Sequence, residues 1–86
     1  MRNIAFHAKA FAEICEWAET DRKIHRKILA MLNEIARSPY QGTGKPEPLK
    51  GNLQGYWSRR ITDEHRLVYQ ATEEAITVMR CKGHYH

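Results

Sequence analysis

The sequence predicts an α+β domain, in which an N-terminal strand and a helical hairpin pack on a C-terminal antiparallel sheet in the order β-α-α-loop-β-β-β. Three observations carry this. Apolar residues recur twice at helical spacing before residue 38, a glycine- and proline-rich stretch comes next, and short strand-like runs separated by polar turns fill the rest. At 86 residues the whole chain, 1–86, reads as one domain. Chains of this size bury only about 60–65% of their unfolded surface, so the core has to be efficient.

Arg2 to Phe6 is short and carries aliphatic and aromatic residues, the signature of a first strand. From Ala8 to Glu19, Phe11, Ile14, Cys15 and Ala18 recur at i, i+3, i+4 and i+7, which defines one helix face and leaves Glu13, Glu16 and Glu19 to solvent. Thr20 and Asp21 interrupt it, and either side chain can cap the next helix. A second stripe, Ile24, Ile28, Met31, Leu32 and Ile35, runs through Arg22 to Arg37, and Ser38-Pro39 stops it because proline disfavours helix in the residue before it. Tyr40 to Gln54 contains Gly42, Gly44, Pro46, Pro48 and Gly51 and reads as a loop with little regular structure. Loops of that length in compact domains are usually functional or disordered. Tyr56 to Ile61, His65 to Ala71 and Ala75 to Cys81 are three strands, joined at Thr62-Asp63-Glu64 and Thr72-Glu73-Glu74 by turns short enough for hairpins.

Composition excludes several classes. No run approaches the ~18–20 apolar residues of a membrane span, and the N-terminus lacks the apolar segment of a secretory signal. Two cysteines are fewer than secreted disulfide scaffolds of this size carry, so Cys15 and Cys81 are expected as reduced, buried thiols in a cytoplasmic protein, with a disulfide between them as the alternative. The net charge of +4 favours an anionic partner.

That charge is localised. Between Arg37 and Arg60 lie five basic residues (Arg37, Lys45, Lys50, Arg59 and Arg60) and one acid, Glu47, an excess equal to that of the whole protein. Tyr40, Tyr56 and Trp57 are interleaved with them. Cations mixed with rings suit single-stranded RNA, whose phosphates meet the charges and whose unstacked bases meet the aromatics. The bland alternative is a solvated loop beside a sheet whose aromatics are core. Glu47, a lone carboxylate among cations, is placed to act as a base; its bland alternative is a surface pair with Lys45 or Lys50.

The second chemical cluster is terminal: Arg80-Cys81-Lys82-Gly83-His84-Tyr85-His86. A histidine there can supply a proton to a leaving group. Cys81, His84 and His86 are all legitimate zinc ligands, but their spacing matches no standard site. No metal or cofactor is expected. His7 and His25 read as surface residues around the helices, and His65 is ambiguous.

The stretches Gly44-Lys45-Pro46-Glu47-Pro48-Leu49-Lys50 and Gly55 to Tyr69, the terminal His84-Tyr85, and Trp17-Ala18-Glu19-Thr20-Asp21 closely resemble the YoeB (Txe/YoeB) toxins of the RelE-like toxin–antitoxin superfamily. The resemblance runs nearly end to end. It implies a RelE-like fold and a ribosome-dependent mRNA endonuclease that cuts in the A site of the 70S ribosome and halts translation. It implies Glu47 as general base, Arg66 as the phosphate-stabilising arginine, His84 as general acid and Tyr85 as a positioning residue. Lys50 and Arg60 match basic positions near the scissile phosphate, and Lys45 and Arg59 are taken with them as RNA-binding. A YefM-like antitoxin is implied as partner, with an acidic segment covering the site, and a homodimer is suggested. Operator DNA would be reached only through the antitoxin, and no membrane partner is expected.

Those residue types make chemical sense. RNA can be cut without metal if its own 2′-OH attacks the adjacent phosphorus, which requires a base, an acid and cations around the developing charge. The products would be a 5′-hydroxyl fragment and a 2′,3′-cyclic or 3′-phosphate end. This chain departs from the family pattern in having Gly83 before the His-Tyr pair and His86 after it, so His86 could assist or replace His84. The competing reading is a RelE-fold translation inhibitor or co-repressor that cuts nothing.

Overall fold

The computed structural model describes residues 1–84; Tyr85 and His86 lie outside the described residues. The elements are β1 (Asn3–Phe6), α1 (Ala8–Thr20), α2 (Arg22–Arg37), β2 (Glu47–Pro48), a 3-10 turn (Gly51–Leu53), β3 (Trp57–Arg60), β4 (Arg66–Ala71) and β5 (Ala75–Arg80). They form a five-stranded sheet in the order β1-β5-β4-β3-β2. The α+β class and element order agree with the sequence reading, with two refinements. The sheet is mixed, because β1 lies parallel to β5, whereas the other pairs are antiparallel. A parallel neighbour needs a long crossover between its strands, and the helical hairpin begins that crossover. The stretch expected to lack regular structure also contributes a strand, since Glu47 pairs with Ser58 and Pro48 with Trp57.

Asp21 explains why the helices need no linker. Its backbone N–H donates to Trp17 O (2.9 Å) and ends α1, while its side chain accepts from Lys23 and Ile24 N–H (3.1 and 3.2 Å) and starts α2. On α2, Ile28, Met31, Leu32 and Ile35 are buried as their spacing requires, each contributing about 1.5–3 kcal/mol of apolar burial.

The face of α1 is a correction. The buried set is Ala10, Glu13, Ile14 and Trp17, not Phe11, Ile14, Cys15 and Ala18. The spacing is the same, but the stripe is rotated so that Phe11 remains 58% exposed against the edge of Phe6. Cys15 is therefore exposed, and only Cys81 is a buried thiol. Burial pushes the Cys81 thiol up to about 12, with the nearby Glu13 carboxylate acting in the same direction.

Both helices and the inward side chains of the strands (Leu67, Tyr69, Ile76, Val78 and, beyond β3, Ile61) share one core. Alternation along the strands places Glu47, Ser58, Arg60, Arg66 and Val68 on the opposite face. The register between β4 and β5 shifts by one residue, from Tyr69↔Val78 to Val68↔Arg80, so Met79 is the extra residue of a bulge. That bulge brings both Met79 and Arg80 to a cleft on the open face.

Candidate active site

The glycine-rich loop is anchored from below by Arg59. This side chain is fully buried. Its Nη2 donates to Ser38 O and Gln41 O (2.8 Å each), and its Nη1 donates to Thr43 O (3.2 Å) and to the Glu34 carboxylate. Its Nε donates to Tyr69 Oη (3.1 Å), and the Tyr69 hydroxyl in turn donates to Pro39 O (2.6 Å). Glu34 also accepts from the backbone N–H and hydroxyl of Thr43 (2.7 and 3.0 Å), and these bonds with Arg59 hold its carboxyl below the usual range despite partial burial. Arg59 is thus a structural residue and not an RNA-binding one: every guanidinium nitrogen is engaged inside the protein.

Next to this anchor, Gly44 O accepts from Arg60 N–H at 2.7 Å. A Cβ on Gly44 would lie 2.6 Å from Arg60 O, and its φ is +86°, so the loop passes β3 at a distance only glycine allows. Lys45 continues in a left-handed conformation (φ 53°), and the chain then enters β2 at Glu47.

The open face carries the charges that the anchor does not consume. Lys45, Glu47, Lys50 and Arg60 are exposed. Among the described residues, Glu47 makes no ion pair with Lys45 or Lys50. Arg66 donates from Nη1 to Thr62 O (2.8 Å), His65 O (3.2 Å) and Asp63 O (3.3 Å). Its Nε and Nη2 have no partner among the described residues and form a free donor edge. The Cα atoms of Glu47 and Arg66 sit two strands apart, ~10 Å across the sheet, and two residues apart along it, ~7 Å.

His84 reaches the same face by a different route. A cleft of about 580 Å³ is lined by His84 together with His7, Leu53, Tyr56, Val68, Met79 and Arg80, among others. Val68 is the outward neighbour of Arg66 on β4 and sits one strand from Ser58, the partner of Glu47. The structure thus places Glu47, Arg60, Arg66 and His84 on one side of the sheet, although no hydrogen bond or ion pair among the described residues joins them. Among the described residues expected in the site, only His84 lines the cleft; Glu47, Arg60 and Arg66 lie outside its lining, as do Lys45 and Lys50, which flank β2 in sequence. Tyr85 and the proposed helper His86 lie outside the described residues. Cys81 faces away, with its Sγ donating to Ala10 O (3.7 Å) in the core, so it is not available as a partner for His84 in a metal site.

Residues 6–85 match the YoeB-like toxins of bacterial type II toxin–antitoxin systems. The chain belongs to this family. It is 48% identical over 85 residues to the toxin RelK of Mycobacterium tuberculosis, across 99% of this chain and 100% of that one. The YoeB dimer from Staphylococcus aureus superposes with a TM-score of 0.91 at 45% identity over 98% of each chain. The heterotetrameric YoeB–YefM toxin–antitoxin complex from the same organism gives 0.90 at 44% identity over 99% of each. The chain is therefore a type II toxin with the YoeB architecture, and no helix among its described residues is long and apolar enough to cross a membrane.

Two features of this YoeB-family site were not read from the sequence. His7, expected as a plain surface residue, lines the cleft beside His84 at the start of α1. Glu13, Trp17 and His65 hold the segment that carries His84. Glu13 accepts from Cys81 N–H (2.8 Å) and Arg80 Nε (2.9 Å), and Trp17 Nε1 donates to Cys81 O (2.9 Å).

Proposed function

We propose that this toxin is a ribosome-dependent mRNA endonuclease that cuts A-site message by metal-independent general acid–base catalysis. The observation that carries the reading is the placement of Glu47, Arg66 and His84 on one open face of the sheet, with a guanidinium edge unpaired among the described residues and a cleft nearby. Glu47 takes the proton of the ribose 2′-OH as its oxygen bonds to the adjacent phosphorus. His84 delivers a proton to the 5′-oxygen as the P–O5′ bond breaks, leaving a 2′,3′-cyclic phosphate and a 5′-hydroxyl. The Nε and Nη2 donors of Arg66 meet the charge that develops on the non-bridging oxygens. Tyr85 positions the substrate or His84, and Lys45, Lys50 and Arg60 hold the flanking phosphates. The ribosome presents the strand, so the small domain has to supply little beyond proton transfer and charge.

The same cationic face suits a partner of opposite sign. An acidic YefM-like antitoxin segment that folds on binding would cover it, and operator DNA would be reached through that antitoxin. The relatives whose structures are a YoeB dimer and a YoeB–YefM heterotetramer support a homodimer and this partner. The ribosomal target puts the protein in the cytoplasm.

Purified protein incubated with programmed ribosomes tests the reaction. Primer extension should show cuts within the A-site codon, and Glu47→Ala, Arg66→Ala and His84→Ala should each slow cutting by ~10²-fold or more without unfolding the protein. Translation that stops while the message stays intact would sink the proposal in favour of a non-cleaving inhibitor.

A further inference from the structure

The segment carrying His84 is tied down at several points. Beyond the Glu13 and Trp17 contacts, Lys82 Nζ reaches Glu16 (2.7 Å) and lies 5.4 Å from the centre of the Trp17 ring. The last clamp closes on Gly83, immediately before His84. Its carbonyl accepts from Arg66 N–H at 3.0 Å, and its own N–H donates to the His65 Nδ1 at 2.8 Å. Gly83 has φ +79°, a left-handed turn that redirects the chain and that side chains other than glycine rarely adopt. The imidazole is itself fixed, since the Trp17 ring meets it edge-on with centroids 4.8 Å apart and planes at 79°.

We propose that His65 is the positioning residue of the site: by accepting from Gly83 N–H, it sets the direction in which His84 enters the cleft. The proposal rests on His84 being the general acid. A backbone N–H can only donate, so Nδ1 must be the unprotonated nitrogen of the ring and the ring proton sits on Nε2. The same strand start thus serves the site twice. Arg66 offers its free guanidinium edge to the phosphate and its backbone N–H to Gly83, while His65 beside it takes the other half of the Gly83 peptide clamp. Acid and phosphate-binding arginine are thereby referenced to a single point of β4. Proton transfer depends steeply on such placement, and a misplacement of about 1 Å can cost on the order of 10²-fold in rate.

Two substitutions separate the hydrogen bond from ring packing. His65→Phe keeps a ring against Trp17 and removes the acceptor; His65→Asn removes the ring and keeps an oxygen at the position of Nδ1. On programmed ribosomes, His65→Phe should lower kcat by ~10-fold or more with KM within ~2-fold, and His65→Asn should recover most of that loss. Amide hydrogen exchange on the full chain gives a readout independent of cleavage. Gly83 N–H should be protected in the wild type and His65→Asn, and should exchange faster in His65→Phe. A folded His65→Phe protein with wild-type kcat and a protected Gly83 would overturn the proposal. So would a His65→Asn protein that behaves like His65→Phe, because ring packing would then be what matters. If the wild type cut no message, the proposed nuclease function would fail by itself, and Gly83 exchange would still judge the clamp.

Discussion

Arg59 and Arg60 are adjacent on β3, yet they belong to opposite kinds of structure. Arg59 points into the core, where three backbone carbonyls, a carboxylate and a tyrosine hydroxyl occupy its donors. Arg60 points to the open face, opposite Arg66 in the register, with two like charges directly across from each other. Such a pair is unfavourable in an isolated sheet. The sheet thus sorts these two cations by alternation: one face uses a guanidinium to fix a loop, and the other leaves Arg60 and Arg66 without a carboxylate partner among the described residues. Folding leaves these two guanidiniums facing solvent without an anion among the described residues, as the proposed RNA contact requires.

The comparison breaks first at Arg59. Replacing it with Met takes the cation from Glu34 and strands the carbonyls of Ser38, Gln41 and Thr43, and losses of this kind cost about 3 kcal/mol or more. Urea unfolding of Arg59→Met should show a midpoint far below that of Arg60→Met, which should unfold like the wild type. Equal midpoints for the two would mean that the anchor does not hold the loop.

Glu34 gives the next, smaller test. Its carboxyl is held below the ordinary value of 4.5 chiefly by the Thr43 backbone N–H, then by the Thr43 hydroxyl and Arg59, while burial opposes them. A lowered folded-state value means that the stabilisation is present in full above the unfolded value and is lost as pH falls through the folded one. Stability should therefore decline on acidification below about pH 4.5, and Glu34→Gln should flatten that part of the profile. Solvent screens the part-exposed carboxylate, so the substitution should cost only about 1 kcal/mol at neutral pH. Chemical denaturation at several pH values reads this directly. A mutant with an unchanged acid slope would assign the decline to other carboxylates.

How much of this was legible in the sequence depends on the range of the contact. The α2 stripe was, because four aliphatics at helical spacing leave no second choice of face. The α1 face was not, because Phe11 and Cys15 outrank Glu13 in hydrophobicity while Glu13 is drawn inward by partners in β5 and just beyond it. Arg59 and Arg60 look alike as residues; the usable signal was the alternation Trp57, Arg59, Ile61, which puts Arg59 among core neighbours. β2 has only two residues, one of them proline, and gives no pattern to read. The roles of His65 and Trp17 depend on contacts with a tail far away in sequence, which spacing does not encode. Glu47 stood out as the one acid in a cationic stretch and His84 as part of a terminal cluster, the family resemblance added Arg66 and the three roles, and the structure adds the face they share.

The smallest effect sharpens the comparison most, because it isolates charge from folding. Each cation that meets a phosphate releases condensed counterions, and for single strands the slope of log K against log salt is about −0.7 per contact. A 2′-O-methyl RNA oligonucleotide lacks the attacking hydroxyl and can be titrated at equilibrium with the protein over a series of KCl concentrations. Arg60→Ala should weaken binding and lower the slope by about 0.7, with no change in the unfolding midpoint. Arg37→Ala, at the far end of α2, should leave the slope alone. If both substitutions changed the slope equally, the excess charge would act as a diffuse field over the whole surface. If only Arg60→Ala did, the cations on the open face would be contacts, and the alternation that buries Arg59 would be what aims Arg60 at the strand.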